Sequence, residues 1–228
     1  MWTLLFALAM LGASGKCMAQ NKAAPASRWE KDISEMESRI ASGMSAKGDI
    51  VFVGSSSIRL WKLKDSFPEL NACNHGFGGS EISDSIEFFD RIVAPVQPKA
   101  IVLYAGDNDI AKGKTADRVV ADFLKFAEKS DASTGKPTPI FFICIKPSLK
   151  RWSMADTIQE ANHRIQEICS KSEHLHYVDV WAAMLDADGM PKKDLFVKDG
   201  LHMSPAGYAI WTRQLATAFT AAGIATDK

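Results

Sequence analysis

The sequence predicts a single α/β domain of three layers, with helices on both faces of a five-stranded parallel sheet. Three observations carry that expectation. Short, continuously apolar runs at 50–53, 100–105 and 139–145 read as strands buried on both faces, with weaker ones at 71–75 and 175–180. Stretches with apolar residues at helical spacing alternate with these runs, and strands alternating with helices imply a parallel sheet. The first three strands also end in glycine, serine, asparagine or aspartate, at the carboxyl edge where open parallel sheets bind ligands.

Taken in order, residues 29–40 carry Trp29, Ile33, Met36 and Ile40 on one helical face, with charges between them. The strand at 50–53 meets Gly54 and then Ser55, Ser56 and Ser57. The second strand runs into Gly76-Phe77-Gly78-Gly79-Ser80, with Ser80 expected to cap a helix at 81–92. The third ends in Gly106-Asp107-Asn108-Asp109 ahead of a helix at 115–130. Lys146-Pro147-Ser148 breaks the fourth, and residues 152–172 are expected to be helical. Asp199-Gly200-Leu201-His202 precedes Ser204 and Pro205, an N-cap and first-turn proline for a last helix bearing Tyr208, Trp211, Leu215 and Phe219. Aromatic residues so spaced are expected in the core.

Composition narrows the function. Lys plus Arg and Asp plus Glu are both 27, and no basic run is interleaved with aromatic residues, which argues against nucleic acid as a partner. The glycine-rich turn at 76–79 is neither a dinucleotide fingerprint nor a P-loop. Cys73, Cys144 and Cys169 have no metal-ligand spacing and read as small apolar side chains; no metal and no cofactor is expected. Residues 2–12 are almost wholly apolar but too short to span a bilayer. Followed by Cys17-Met18-Ala19, they predict a signal peptide at 1–19, cleaved after Ala19, with a secreted or periplasmic product and no integral membrane segment after cleavage. Residues 20–28 read as a linker and 29–228 as the one folded domain.

If the sheet is doubly wound, the serines, the glycine turn, the Asp-Asn-Asp turn and the Asp199–His202 element gather along one edge. That set supplies a nucleophile, a base with an acid beside it, and donors for an oxyanion, which is what acyl transfer requires. Each piece has a plainer reading: the serines as caps, the glycines as turn geometry, Asn108 as an Asx turn, and His202 as a buried histidine bonded to Asp199.

At these residues the chain resembles the SGNH (GDSL-type) hydrolases, whose four blocks carry Ser, Gly, Asn and His. Gly54-Ser55-Ser56 stands for Gly-Asp-Ser, Gly79 (with Gly78 adjacent) for the second block, Gly106-Asp107-Asn108-Asp109 for Gly-x-Asn-Asp, and Asp199 with His202 for Asp-x-x-His. Ser55 replaces the usual aspartate, and Asp107 replaces a common threonine. The resemblance implies a flavodoxin-like sheet, Ser56 as nucleophile, His202 as base, Asp199 as its orienting acid, and an oxyanion hole made by Ser56, Gly79 and Asn108. It implies a carboxylic ester hydrolase working through an acyl-enzyme. With the export signal, it suggests short-chain or carbohydrate-borne acetyl esters, so the partner is a small-molecule or glycan ester. Arg59, Trp61, Arg151 and Trp152 are candidate substrate-binding residues. A lysophospholipase, thioesterase or acyltransferase on the same scaffold, and a non-catalytic binding module, are the alternatives.

Overall fold

A computed structural model describes residues 27–224. The predicted signal peptide and its cleavage point lie outside the described residues, as does nearly all of the linker. Five strands, β1 (Ile50–Gly54), β2 (Ala72–Gly76), β3 (Ala100–Tyr104), β4 (Ile140–Ile143) and β5 (Leu175–Val178), form one sheet in the order β2-β1-β3-β4-β5. Every pairing is parallel. The chain starts beside the middle of the sheet, moves one strand outward to β2, then crosses back to β3. The crevice where ligands bind in such sheets therefore opens above β1.

Successive strand residues point to opposite faces, and the two faces collect separate cores. Val51, Val53, Ile101, Leu103, Ile140 and Phe142 face α1 (Glu30–Ala41), α5 (Phe89–Ile92), α7 (Ala116–Thr134) and α8 (Ala155–Cys169). Ile50, Phe52, Val102, Phe141 and Ile143 face α9 (Pro205–Ala221) and the segment holding α2 (Ser56–Arg59) and α3 (Leu63–Ser66). Two further short helices complete the described chain, α4 (Ile82–Glu87) and α6 (Asp107–Ala111). All five residues of β1 are buried. A strand covered on both sides must be apolar on both sides, hence the unbroken run of Ile, Val, Phe and Val.

Three local expectations need correction. The helix expected at 81–92 is two helices, interrupted at Phe88, whose ring is set edge-on against Trp29 and Phe77. Ser80 does not cap it: its hydroxyl donates to the Phe77 carbonyl, and the Glu81 N–H donates to the Asp84 carboxylate at 2.7 Å. The helix expected from 152 begins at Ala155, after 3₁₀ turns over Leu149–Met154; Arg151 there departs from helical geometry, with its guanidinium turned to the edge of the sheet. Strands four and five each stop two residues short of the expected end, although Cys144 N–H still donates to the Val178 carbonyl.

The three described cysteines are buried and unpaired. Of the histidines without an anticipated partner, His75 is fully buried between the Ile92 carbonyl, 2.5 Å from Nδ1, and the Ser45 hydroxyl, 3.0 Å from Nε2. The carbonyl can only accept, so Nδ1 donates and Nε2 accepts from Ser45. Burial pulls the His75 imidazole down to about 4, against the Ile92 hydrogen bond. An unfolded histidine titrates near 6.5, so between these values the unfolded chain binds the extra proton. Stability is full above pH ~6.5 and falls by about 3 kcal/mol toward pH 4. Urea unfolding across that range should show the slope in the native protein and a flatter one in His75→Gln.

Candidate active site

The site grows from the carboxyl ends of β1, β2 and β3. Gly54 ends β1 with φ +130°, and a Cβ there would lie 2.0 Å from the Tyr104 carbonyl oxygen, so only glycine allows the chain to turn so close to β3. Ser55 follows in extended geometry, its N–H donating to that same carbonyl at 2.9 Å. Ser56 opens α2 and is half-buried, whereas Ser55 and Ser57 are buried at 3% and 2% exposure. Of three consecutive serines, Ser56 alone presents its hydroxyl to the histidine.

His202 Nε2 lies 2.9 Å from Ser56 Oγ, and its Nδ1 lies 2.6 Å from Asp199 Oδ2. The second Asp199 oxygen accepts the N–H groups of Leu201 and His202, both at 2.9 Å. Partial burial would raise the Asp199 carboxyl, but the His202 ring and these two backbone donors outweigh it and hold it down at about 2. The acid is therefore ionised beside the imidazole at neutral pH, which favours the tautomer with a proton on Nδ1 and a free lone pair on Nε2 facing the hydroxyl. Ser204 caps α9 just beyond, accepting from Gly207 N–H, and the Tyr208 hydroxyl donates to the Ser57 carbonyl at 2.9 Å. The helix that follows the histidine is thus tied to the turn that carries the serine.

On the other side stand the glycine turn and Asn108. Gly79 takes φ +74°, and its carbonyl accepts from Arg28 at 2.9 Å. The Gly78 carbonyl accepts from Trp29 Nε1 at 2.9 Å. With both carbonyls engaged from α1's end of the chain, the backbone N–H groups of Ser56 and Gly79 have no acceptor among the described residues. Asn108 donates one amide hydrogen to the Ser80 carbonyl at 2.9 Å and accepts Arg151 Nη2 on its oxygen at 2.9 Å. Its second amide hydrogen has no acceptor among the described residues.

Beneath Asn108 lies a buried charge cluster. Lys146, 1% exposed, donates to Asp107 Oδ2 at 2.9 Å and to the Tyr104 hydroxyl at 3.1 Å, and Arg151 pairs with the other Asp107 oxygen. Burial pulls the Lys146 ammonium down to about 8, against the opposing charges of Tyr208 and Asp199. Asp109, also buried, accepts from the N–H groups of Gly106 and Ile82 and from Lys114 at 2.8 Å, so it fastens the asparagine turn to the glycine turn. The acidic residues around Asn108 are thus each matched by a lysine or arginine of the chain. Arg151→Ala should free the Asn108 amide to rotate and lower kcat about 10- to 100-fold, below the loss for deleting an oxyanion donor outright. Arg151→Lys should not restore it, because an ammonium cannot bridge Asp107 and Asn108 as a planar fork does; steady-state kinetics on a small ester would read both.

Of the other candidate substrate residues, Arg59 is exposed and lies beside Gly78. Trp61 is buried, stacked on Tyr208, and forms one wall of a cavity of about 810 Å³ that also touches His202. Trp152 stacks on Trp181 at 6.0 Å. Lys146, Tyr104 and Tyr208 were not anticipated. A lysine closing an apolar run, at 146, was the one available signal.

The family model for the GDSL-like lipases and acylhydrolases matches residues 59–210, and the chain belongs to that family. The match includes Gly79, Asn108, Asp199 and His202 and begins just after Ser56. A comparison with curated proteins gave no significant match. Solved structures with the same fold include a Streptococcus pneumonia protein provisionally described as a platelet activating factor, with TM-score 0.73, 23% identity, and coverage of 82% of this chain and 91% of that one. A GDSL-like lipase from Bacteroides thetaiotaomicron superposes with TM-score 0.67 at 19% identity, over 83% and 99% of the two chains. An acetyl-xylooligosaccharide esterase from Geobacillus Stearmophilus does so with TM-score 0.60 at 16% identity, over 76% and 94%. The family and the fold support a hydrolase of the GDSL type.

Proposed function

We propose that the protein is a serine carboxylic ester hydrolase that works through an acyl-enzyme on esters of short acyl groups, those borne by carbohydrates included. The observation that carries the reading is the unbroken hydrogen-bonded chain from Asp199 through His202 to Ser56. In acylation, Ser56 Oγ bonds to the ester carbonyl carbon while its proton passes to His202 Nε2. The carbonyl oxygen, now negative, is met by the N–H groups of Ser56 and Gly79 and by the Asn108 amide; one such donor is worth about 3 kcal/mol. The carbon–alkoxy bond then breaks, and Nε2 returns the proton to the departing alkoxide. Water hydrolyses the acyl-Ser56, again with His202 as base, and releases the acid. Asp199 stays ionised throughout and steadies the imidazolium.

Asn108 and Arg151, joined by a hydrogen bond, put polar groups beside the oxyanion position, which supports a short acyl group. Among the described residues no helix is long and apolar enough to cross a membrane. The signal peptide, if cleaved as expected, would deliver the enzyme outside the cytoplasm. Treatment with a fluorophosphonate followed by peptide mapping tests the mechanism. A covalent adduct on Ser56, absent in His202→Ala, is the expected result. An adduct on Ser55 or Ser57, or none, would rule out Ser56 as the nucleophile.

A further inference from the structure

We infer that the cavity beside His202 is the leaving-group subsite, and that the alcohol it takes has an apolar body. The inference rests on the esterase reading above. The cavity is about 810 Å³, and its walls are mainly Leu60, Trp61, Val197, Met203, Tyr208 and Ala209. Leu60 and Val197 are 43% and 47% exposed, and of the large exposed apolar side chains these two share one cavity. Their exposure is accounted for if a ligand covers them.

The reaction geometry fixes which half of an ester enters. The carbonyl carbon must sit against Ser56 Oγ with its oxygen toward Gly79 and Asn108. His202 Nε2 is the group that hands a proton to the departing oxygen, so that oxygen lies against the imidazole. The imidazole is itself part of the cavity wall. Whatever is attached to the leaving oxygen therefore continues into the cavity, along α9, and the acyl group points away from it. Lys62, Thr212 and Arg213 stand on the cavity's lining as well and keep it open to a polar far end of the alcohol. Bond changes are those of the esterase reaction: the serine–acyl bond forms, the acyl–alkoxy bond breaks, and the proton goes from Ser56 by way of His202 to the alcohol.

Two isomeric esters separate the possibilities. Hexyl acetate and ethyl hexanoate are isomers with the long chain on opposite sides of the ester, six carbons on the oxygen in one and five beyond the carbonyl carbon in the other, and hexyl, like ethyl, is an unactivated leaving group. Each buried methylene contributes about fourfold to kcat/KM, so hexyl acetate should exceed both ethyl acetate and ethyl hexanoate by about 10-fold or more. Ala209→Trp, a substitution at an exposed position on α9 that would fill the cavity, should cut kcat/KM for hexyl acetate at least 10-fold more than for ethyl acetate. Leu124→Trp, exposed on α7 across the sheet, serves as the control and should leave the ratio unchanged. A preference for ethyl hexanoate that Ala209→Trp removes would overturn the assignment and make the cavity an acyl pocket. Equal rates on all three esters, an insensitive Ala209→Trp, or faster turnover of peracetylated xylose than of hexyl acetate would also overturn it. If Ser56 takes no fluorophosphonate, the esterase reading fails and the subsite falls with it; a labelled Ser56 with no hexyl acetate preference condemns the subsite alone.

Discussion

Ser56→Ala should lower kcat for p-nitrophenyl acetate by about 10⁴-fold or more, with circular dichroism unchanged. His202→Ala should match it, because nucleophile and base act as one unit and either loss empties the chain of proton transfer. The double variant should be hardly worse than either single one. Asp199→Ala should cost less, about 10- to 100-fold less than the other two by the precedent of such units. Its work is to hold a tautomer already supported by a site that keeps His202 within 2.9 Å of the serine. A folded Asp199→Ala as inactive as Ser56→Ala would show that the acid does more than orient. Equal rates in wild type and Ser56→Ala would remove Ser56 from the chemistry altogether.

Asp107→Ala should be the most destabilising single change near the site. Asp107 is the only carboxylate in contact with Lys146 among the described residues, and it pairs with Arg151 as well. Removing one partner of a buried ion pair leaves a charge uncompensated, which costs about 3–5 kcal/mol. Lys146→Met should cost less, since Arg151 still neutralises the carboxylate. Joint replacement by Asp107→Leu and Lys146→Met should come back toward wild type in stability while still impairing turnover through Asn108. Urea unfolding at neutral pH measures all three. The pH dependence gives a further check. Burial already sets Lys146 near 8, below the ~10.4 of an unfolded lysine. Between those values the unfolded chain holds a proton that the native state has released, so stability gains with rising pH. The Asp107→Ala protein should recover more over that window than wild type does.

The sheet and its edge were legible because the information is local. Ile50–Val53, Ala100–Ala105 and Ile140–Ile143 are apolar without interruption, as only doubly covered strands need to be. Ser56 and Asn108 sit one turn past such a strand, Gly79 follows a glycine-rich turn after the weaker second strand, and Asp199 with His202 sits just ahead of a well-marked helix start, so residue types and positions could be read together. The supporting cluster was not legible. Lys146 reads in sequence as the end of a strand, and its partner Asp107 is 39 residues away. Nothing in the one-dimensional pattern joins them. The same holds for Tyr208, whose spacing marks it for the core and whose hydroxyl nevertheless reaches back 151 residues to Ser57. The break at Phe88 escaped because a helix and two half-turns packed on one aromatic cluster share the same apolar spacing. The cavity beside His202 was invisible for a like reason: it is assembled from the turn after α2, the loop holding Val197 and the outer side of α9.

The serine and the histidine are 146 positions apart, and that separation governs when the protein acquires its chemistry. During synthesis the β1 turn emerges early, and for most of elongation it carries a hydroxyl with no imidazole to activate it. His202 lies just ahead of α9, and docking of α9 brings it within 2.9 Å of the serine hydroxyl. On the proposed mechanism, a chain in which α9 has not docked should turn over no ester, however much of the sheet has formed. In a refolding time course, fluorescence from the buried Trp61 and Trp211 should report formation of the core under α9, and turnover should appear no earlier.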